Sequence, residues 1–129
     1  MIDRKVKSIR ALERGLDVLL EVQRSGGLSL HELHLRLGLA KATLLRLLVT
    51  LSSRGLVWQR LADGAYLPTA LAAPGRRSDV AERLAEIASP FMVELSERVV
   101  WPSIIAVPRL DHIEIIETNQ DVHLYLIDK

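Results

Sequence analysis

Cysteine is absent from the 129 residues, which removes disulfides, thiolate metal sites and thiol nucleophiles together. That absence fits a reducing, cytoplasmic setting. Aromatic residues are scarce, at 4%, so a core has to be built from Leu, Val, Ile and Ala, and such a chain leans helical. No uncharged apolar run approaches membrane-spanning length, so no membrane association is expected. The start of the chain, Met1 to Lys5, is charged with no long apolar stretch behind it, so no signal peptide is expected. A Gly-rich phosphate loop is missing as well, because Gly26-Gly27 lacks the rest of the motif. There is no internal repeat and no low-complexity tract. What remains is a globular composition, 49% hydrophobic and 26% charged.

The net charge of +1 hides an asymmetry. Residues 1–60 carry 11 Lys and Arg against 5 Asp and Glu, a net of +6, whereas residues 61–129 carry 6 against 11, a net of −5. A basic first half favours a polyanionic partner, and the acidic second half does not. The two halves are therefore expected to do different work.

Apolar spacing predicts the elements. Ser8–Arg24 reads as a helix with Ile9, Leu12, Leu16, Leu19 and Leu20 as its inward stripe, ended by Ser25-Gly26-Gly27. Ser29–Leu37 reads as a short helix opened by a Ser29/Glu32 capping box and stopped at Gly38. Lys41–Arg54 is a third helix with Leu44, Leu47, Leu48 and Leu51 inward. Two short amphipathic helices across a Gly-containing turn are the helix-turn-helix pattern. Leu56–Leu61 and Ala65–Leu67, joined by Ala62-Asp63-Gly64 and stopped by Pro68, predict a hairpin, the wing. Residues 69–78 read as a linker with a short helix before Pro74. Helices are expected over Asp79–Ala88, with Val80, Leu84 and Ile87 on one side, and from Pro90 through Arg98. Strands are expected over Val99–Val107, His112–Glu117 and Leu124–Ile127. The fold class is thus mainly α with a small β wing. A winged helix-turn-helix domain over 1–68 is followed by a linker over 69–78 and linker helices with an incomplete α/β segment over 79–129.

The basic residues of the first half gather around the helix pair and the wing. Lys41 and Thr43 fall in the first turn of the third helix, where free amides and the helix dipole favour a phosphate. Arg46 either bonds guanine bidentately or neutralises a phosphate. Ala42 and Leu45 share that outer face and can meet a thymine methyl. Arg10, Arg54 and Arg60 complete the expected DNA-contacting set.

These stretches carry a family resemblance. SIRALERGLDVL (Ser8–Leu19), the run GGLSLHELHLRLGLAKATLLRLLVTLSSRGLV (Gly26–Val57) and GAYLPT (Gly64–Thr69) resemble the N-terminal domain of the IclR family of bacterial transcriptional regulators. ASPFMVELSERVVWPSIIAV (Ala88–Val107) looks like the start of that family's effector-binding domain. Within it, Val99–Ser103 resembles the subgroup that activates catabolism of hydroxyphenylpropionate-type acids. The resemblance implies a repressor or activator that binds operator DNA as a dimer or dimer of dimers, with the third helix in the major groove and the wing near the minor groove. It also implies small-molecule effectors, aromatic acids among them, for full-length relatives. Lys41, Thr43 and Arg46 match the family's recognition-helix lysine, threonine and arginine. Ala42 stands where Ser is common, and Leu45 where a polar residue or His is usual. Family members are considerably longer, so no complete effector site is expected in this chain.

Other chemistry finds little support. His31 and His34 lie close on one helix without a third ligand, so no metal or cofactor is expected. Asp111, Glu114 and Glu117 read as alternating strand charge, since no nucleophile accompanies them. No catalytic constellation is present, and an enzyme is not expected. Trp101 is expected in a core or an interface. Ala42 and Leu45, which remove hydrogen-bonding groups from the outer face, leave a second reading open: a dimerisation or interaction module that has lost specific DNA readout.

Overall fold

The computed structural model describes residues 5–75, 80–99 and 101–120. They fall into two compact units. The first comprises the residues up to Trp58 together with Tyr66–Ala73; the second comprises Gln59–Ala65 and the residues from Pro74 on.

The first unit holds three helices, α1 (Arg10–Arg24), α2 (Leu30–Leu37) and α3 (Lys41–Ser53). Its core joins Val18 and Val22 of α1, Leu33 of α2, and Leu44, Leu48 and Leu51 of α3 to Leu28, Val57 and Tyr66. Leu19, Leu30, Leu37, Leu39, Leu47 and Leu56 pack around it, half-buried. Truncating a fully buried leucine such as Leu48 to alanine in a core of this kind costs about 2–5 kcal/mol. A two-stranded sheet pairs β1 (Val57–Gln59) with β2 (Tyr66–Pro68). Leu28 adds a bridge to Tyr66 through two backbone hydrogen bonds of 3.1 and 2.8 Å.

Helix α1 reverses the sequence expectation about which face is inside. Ile9, Leu12, Leu16 and Leu20 are exposed, and Val18 and Val22 are fully buried. At about 100° per residue the exposed stripe is centred roughly 160° round the helix from Val18, so α1 is apolar on two opposite faces. Periodicity alone cannot choose between two such faces. Tertiary packing decides it: Val18 and Val22 join the core with Leu33, Leu44 and Leu48. Ile9, predicted to lie inside the helix, is its N-cap.

The second unit holds the hairpin tip, helix α4 (Val80–Arg98) and a sheet of β3 (Ile104–Pro108) against β4 (Ile113–Thr118), antiparallel. Helix α4 is one helix where the sequence suggested two, and Pro90 lies inside it. Proline removes one intrahelical donor, but Pro90 is on the exposed side of the helix, away from the face packed on β4. The expected inward residues Val80, Leu84 and Ile87 are exposed. The buried face is Ala81, Ala85, Ser89 and Met92, small side chains that let β4 approach. Ile105 pairs with Glu117 and Ala106 with Ile115, so Ile116 is an extra residue and β4 carries a bulge. Trp101 is 81% exposed, which overturns its placement in a core. Pro68 and Pro108 end their strands from within. Residues 70–72 form a turn and not the short helix expected there. Asp79, where the first of the two helices was expected to begin, and the strand expected at Leu124–Ile127 lie outside the described residues.

Candidate nucleic-acid interface

The helix pair is assembled from local bonds that the sequence encodes. At the start of α2 the Ser29 hydroxyl accepts from the Glu32 amide at 3.1 Å, and the Glu32 carboxylate accepts from the Ser29 amide at 3.3 Å. Gly38 takes the left-handed conformation (φ 69°) that ends α2, and its amide donates to the His34 carbonyl at 2.9 Å. Nδ1 of His34 lies 2.6 Å from the Leu39 carbonyl, which braces the turn from the side.

The start of α3 is built differently. Its N-cap is Ala40, which offers no side-chain acceptor, and its first turn holds no acidic residue. The amides of Lys41, Ala42 and Thr43 precede the first intrahelical bond, from Leu44 to Ala40. The positive end of the helix is therefore left for an external anion. Leu44, Leu48 and Leu51 fix the inner face, which turns Lys41, Ala42, Leu45, Arg46 and Val49 outward across an arc of about 140°. Thr43 lies about 60° beyond the Arg46 end of that arc, half-buried. Among the described residues neither Lys41 nor Arg46 forms an ion pair. By contrast Arg36 of α2 is 3.0 Å from Glu21 of α1.

The remaining basic candidates are scattered. Arg10 is exposed at the first position of α1. Arg54 is the C-cap of α3, about 20 Å along the axis from Lys41 at 1.5 Å per residue. Arg60 belongs to the second unit and is already engaged, with its Nε 3.0 Å and its Nη2 2.7 Å from the two oxygens of Asp63. That two-pronged bond holds the Asp63 carboxyl below the usual carboxylate range and raises Arg60 further. Burial pushes the Tyr66 hydroxyl up.

The hairpin turn needs only one positive φ, at Gly64 (70°), because it is a wider connection than the two-residue turn that Asp-Gly suggests. The other titratable candidates do not converge. Asp111 bonds His112, Glu114 bonds Arg109, and Glu117, read as part of an alternating strand charge, is fully buried. Among the described residues no three His, Asp or Glu side chains gather as a metal site, and His31 and His34 stand with ring centroids 6.3 Å apart.

A family model described as the IclR helix-turn-helix domain matches residues 11–61. Residues 11–61 of the chain thus form an IclR-type helix-turn-helix domain. A curated relative, the HTH-type transcriptional regulator BhcR of Paracoccus denitrificans, is 40% identical over 94 residues, which is 69% of this chain and 32% of BhcR. The chain thus spans about a third of that relative's length. Two solved structures are similar in outline. An IclR family transcriptional regulator from Brucella abortus has a TM-score of 0.47 and 24% identity, covering 87% of this chain and 44% of that one. HmgR of Pseudomonas aeruginosa has a TM-score of 0.48 and 21% identity, covering 88% of this chain and 50% of that one. In the IclR domain of this chain α2 and α3 form the helix-turn-helix and β1–β2 the wing. No described helix is long and apolar enough to cross a membrane.

Proposed function

We propose that the chain is a sequence-specific, DNA-binding transcriptional regulator of the IclR type that works in the cytoplasm and binds operator DNA as a dimer or higher oligomer. It is not read as an enzyme. One observation carries the reading: Lys41 and Arg46, free of acidic partners among the described residues, stand on the outer face of a helix whose first-turn amides have no cap. In this reading residues 1–68 bind DNA, 69–78 connect, and 79–129 are part of an effector-binding domain that takes small molecules, aromatic acids among them, in full-length relatives and forms no complete effector site here. Arg46 makes the principal base or phosphate contact, with Lys41, Thr43 and the α3 amides on the adjoining phosphates. Ala42 and Leu45 meet bases through apolar contact. Arg10 and Arg54 add phosphate contacts, and Arg60 adds one with the N–H groups that Asp63 leaves over.

The second copy is supported by α1. A surface helix ordinarily keeps one face polar, and α1 instead exposes Ile9, Leu12, Leu16 and Leu20 opposite its buried valines. That stripe suits the self-complementary contact of a twofold dimer.

The test is a fluorescence-anisotropy titration with DNA from the gene's own upstream region and with scrambled DNA, at two salt concentrations. Arg46→Ala should weaken selective binding about tenfold, and affinity should fall as salt rises. Equal weak binding to both DNAs, unchanged in Arg46→Ala, would leave the other reading: an interaction module without DNA readout. The apolar outer side chains of α3, Leu45 and Val49, favour that alternative.

A further inference from the structure

The most completely buried acidic group among the described residues has no part in the reading above. Glu117 of β4 is 0% exposed. A carboxylate withdrawn from water needs donors, and this one finds them mainly in the hairpin tip. Its Oε1 accepts from the Ala62 amide at 2.7 Å, and its Oε2 accepts from the Leu61 amide at 2.9 Å. The Ser89 hydroxyl of α4 lies 2.6 Å from Oε2 and 2.6 Å from the Ala85 carbonyl, so its single hydrogen serves either acceptor. All of these residues belong to the second unit.

The tip itself is internally tied. The Arg60 amide donates to the Ala65 carbonyl at 2.8 Å, the Gly64 amide to the Arg60 carbonyl at 2.9 Å, and Asp63 accepts from the Ala65 amide at 3.1 Å. Leu61 and Ala62 are the two consecutive tip residues whose amides point away from that network, and Glu117 takes both. A loop this short, tied to one side chain by two charge-assisted bonds, has its orientation set there.

We propose that Glu117 is the positioning residue of the wing: it fixes the hairpin turn through the Leu61 and Ala62 amides and so sets how the wing meets DNA. The proposal rests on the regulator reading above, in which the wing contacts DNA. It makes β4 the element that holds the hairpin tip, so that a shift of β4 is carried to Leu61 and Ala62 through one side chain.

Two readouts on the full chain test it, in wild type, Glu117→Gln and Glu117→Ala: amide hydrogen exchange resolved by residue, and anisotropy titration with the upstream DNA. In Glu117→Ala, exchange at Leu61 and Ala62 should quicken about tenfold or more while Leu48 and Leu51 stay protected. Affinity for the DNA should fall about threefold to tenfold. Glu117→Gln keeps one acceptor of two and should fall between wild type and Glu117→Ala in both readouts. Unchanged exchange at Leu61 and Ala62 overturns the proposal, as does quickened exchange with unaltered DNA affinity. If Leu48 and Leu51 also quicken in Glu117→Ala, the domain has loosened as a whole, and Glu117→Gln decides by the same criteria. Wild-type chain that binds no DNA would sink the regulator reading and the wing's role with it. The exchange result would then separately show whether Glu117 holds the tip.

Discussion

Ser29 and Ala40 occupy equivalent places, each just ahead of a helix of the pair, and they treat the backbone in opposite ways. Ser29 closes the start of α2 with a reciprocal pair of bonds, and Ala40 leaves the start of α3 open. A capping side chain is worth about 1 kcal/mol, so the open end is a loss of stability that a DNA phosphate can recover. Two outcomes follow. Ala40→Asp should raise the thermal midpoint by a few degrees, through roughly 0.5–1 kcal/mol of capping, when followed by circular dichroism. The same substitution should weaken DNA binding about tenfold or more, since the new carboxylate occupies the amides and repels phosphate. A variant that gains stability and keeps its affinity would show that these amides do not face the nucleic acid.

At the scale of elements, the hairpin is expected to respond to acid. Asp63 sits below its usual range chiefly because of its bond to Arg60, and a carboxyl so lowered stabilises the fold above its unfolded pKa. That contribution disappears as pH falls through the folded-state value. Below about pH 4 the tip should therefore loosen before the helices do, seen as moving amide resonances of Gly64 and Ala65. Asp63→Asn should already show the loosened tip at neutral pH. Tip resonances that stay fixed to the acid transition of the helices would separate the turn from this pair.

Elements were legible in the sequence wherever local chemistry decides them. The capping box, the Gly38 stop and the leucine face of α3 need only near neighbours, and each stands where the spacing predicts. The outward set of Lys41, Ala42, Leu45 and Arg46 followed from that leucine face. Tertiary choices were not legible. Helix α1 offers two apolar faces, and packing against α2 and α3 selects the one that carries Val18 and Val22. Helix α4 buries alanine, serine and methionine beneath a strand, so its larger apolar residues point outward, and Pro90 continues a helix it was expected to begin. The burial of Glu117, read as strand charge, was not legible because strict alternation along β4 would set it beside the exposed Ile113 and Ile115. The bulge at Ile116 turns it to the other side.

At the scale of the whole molecule, charge and exposed apolar surface point to separate tasks. The basic first half supplies a field for a polyanion, and the stripe on α1 supplies an adhesive face. If that stripe joins two copies, a single charge placed in it should part them. Leu16→Glu is expected to convert a dimer to a monomer by light scattering. Operator affinity should then drop on the order of 100-fold, because two half-sites would no longer be held by one linked pair of domains. A Leu16→Glu chain that still runs as a dimer would assign the interface elsewhere, and a wild-type monomer at operator-binding concentrations would remove the dimer from the reading.

The bulge in β4 also bears on how related sequences should be compared. Ile116 has no partner across the sheet, so a relative lacking that residue keeps the same pairing on both sides of it. An alignment that holds the spacing rigid would set Glu117 against a residue on the wrong side of such a relative's strand. One gap placed at Ile116 restores the correspondence. The question of which family members share this buried carboxylate therefore turns on a single codon.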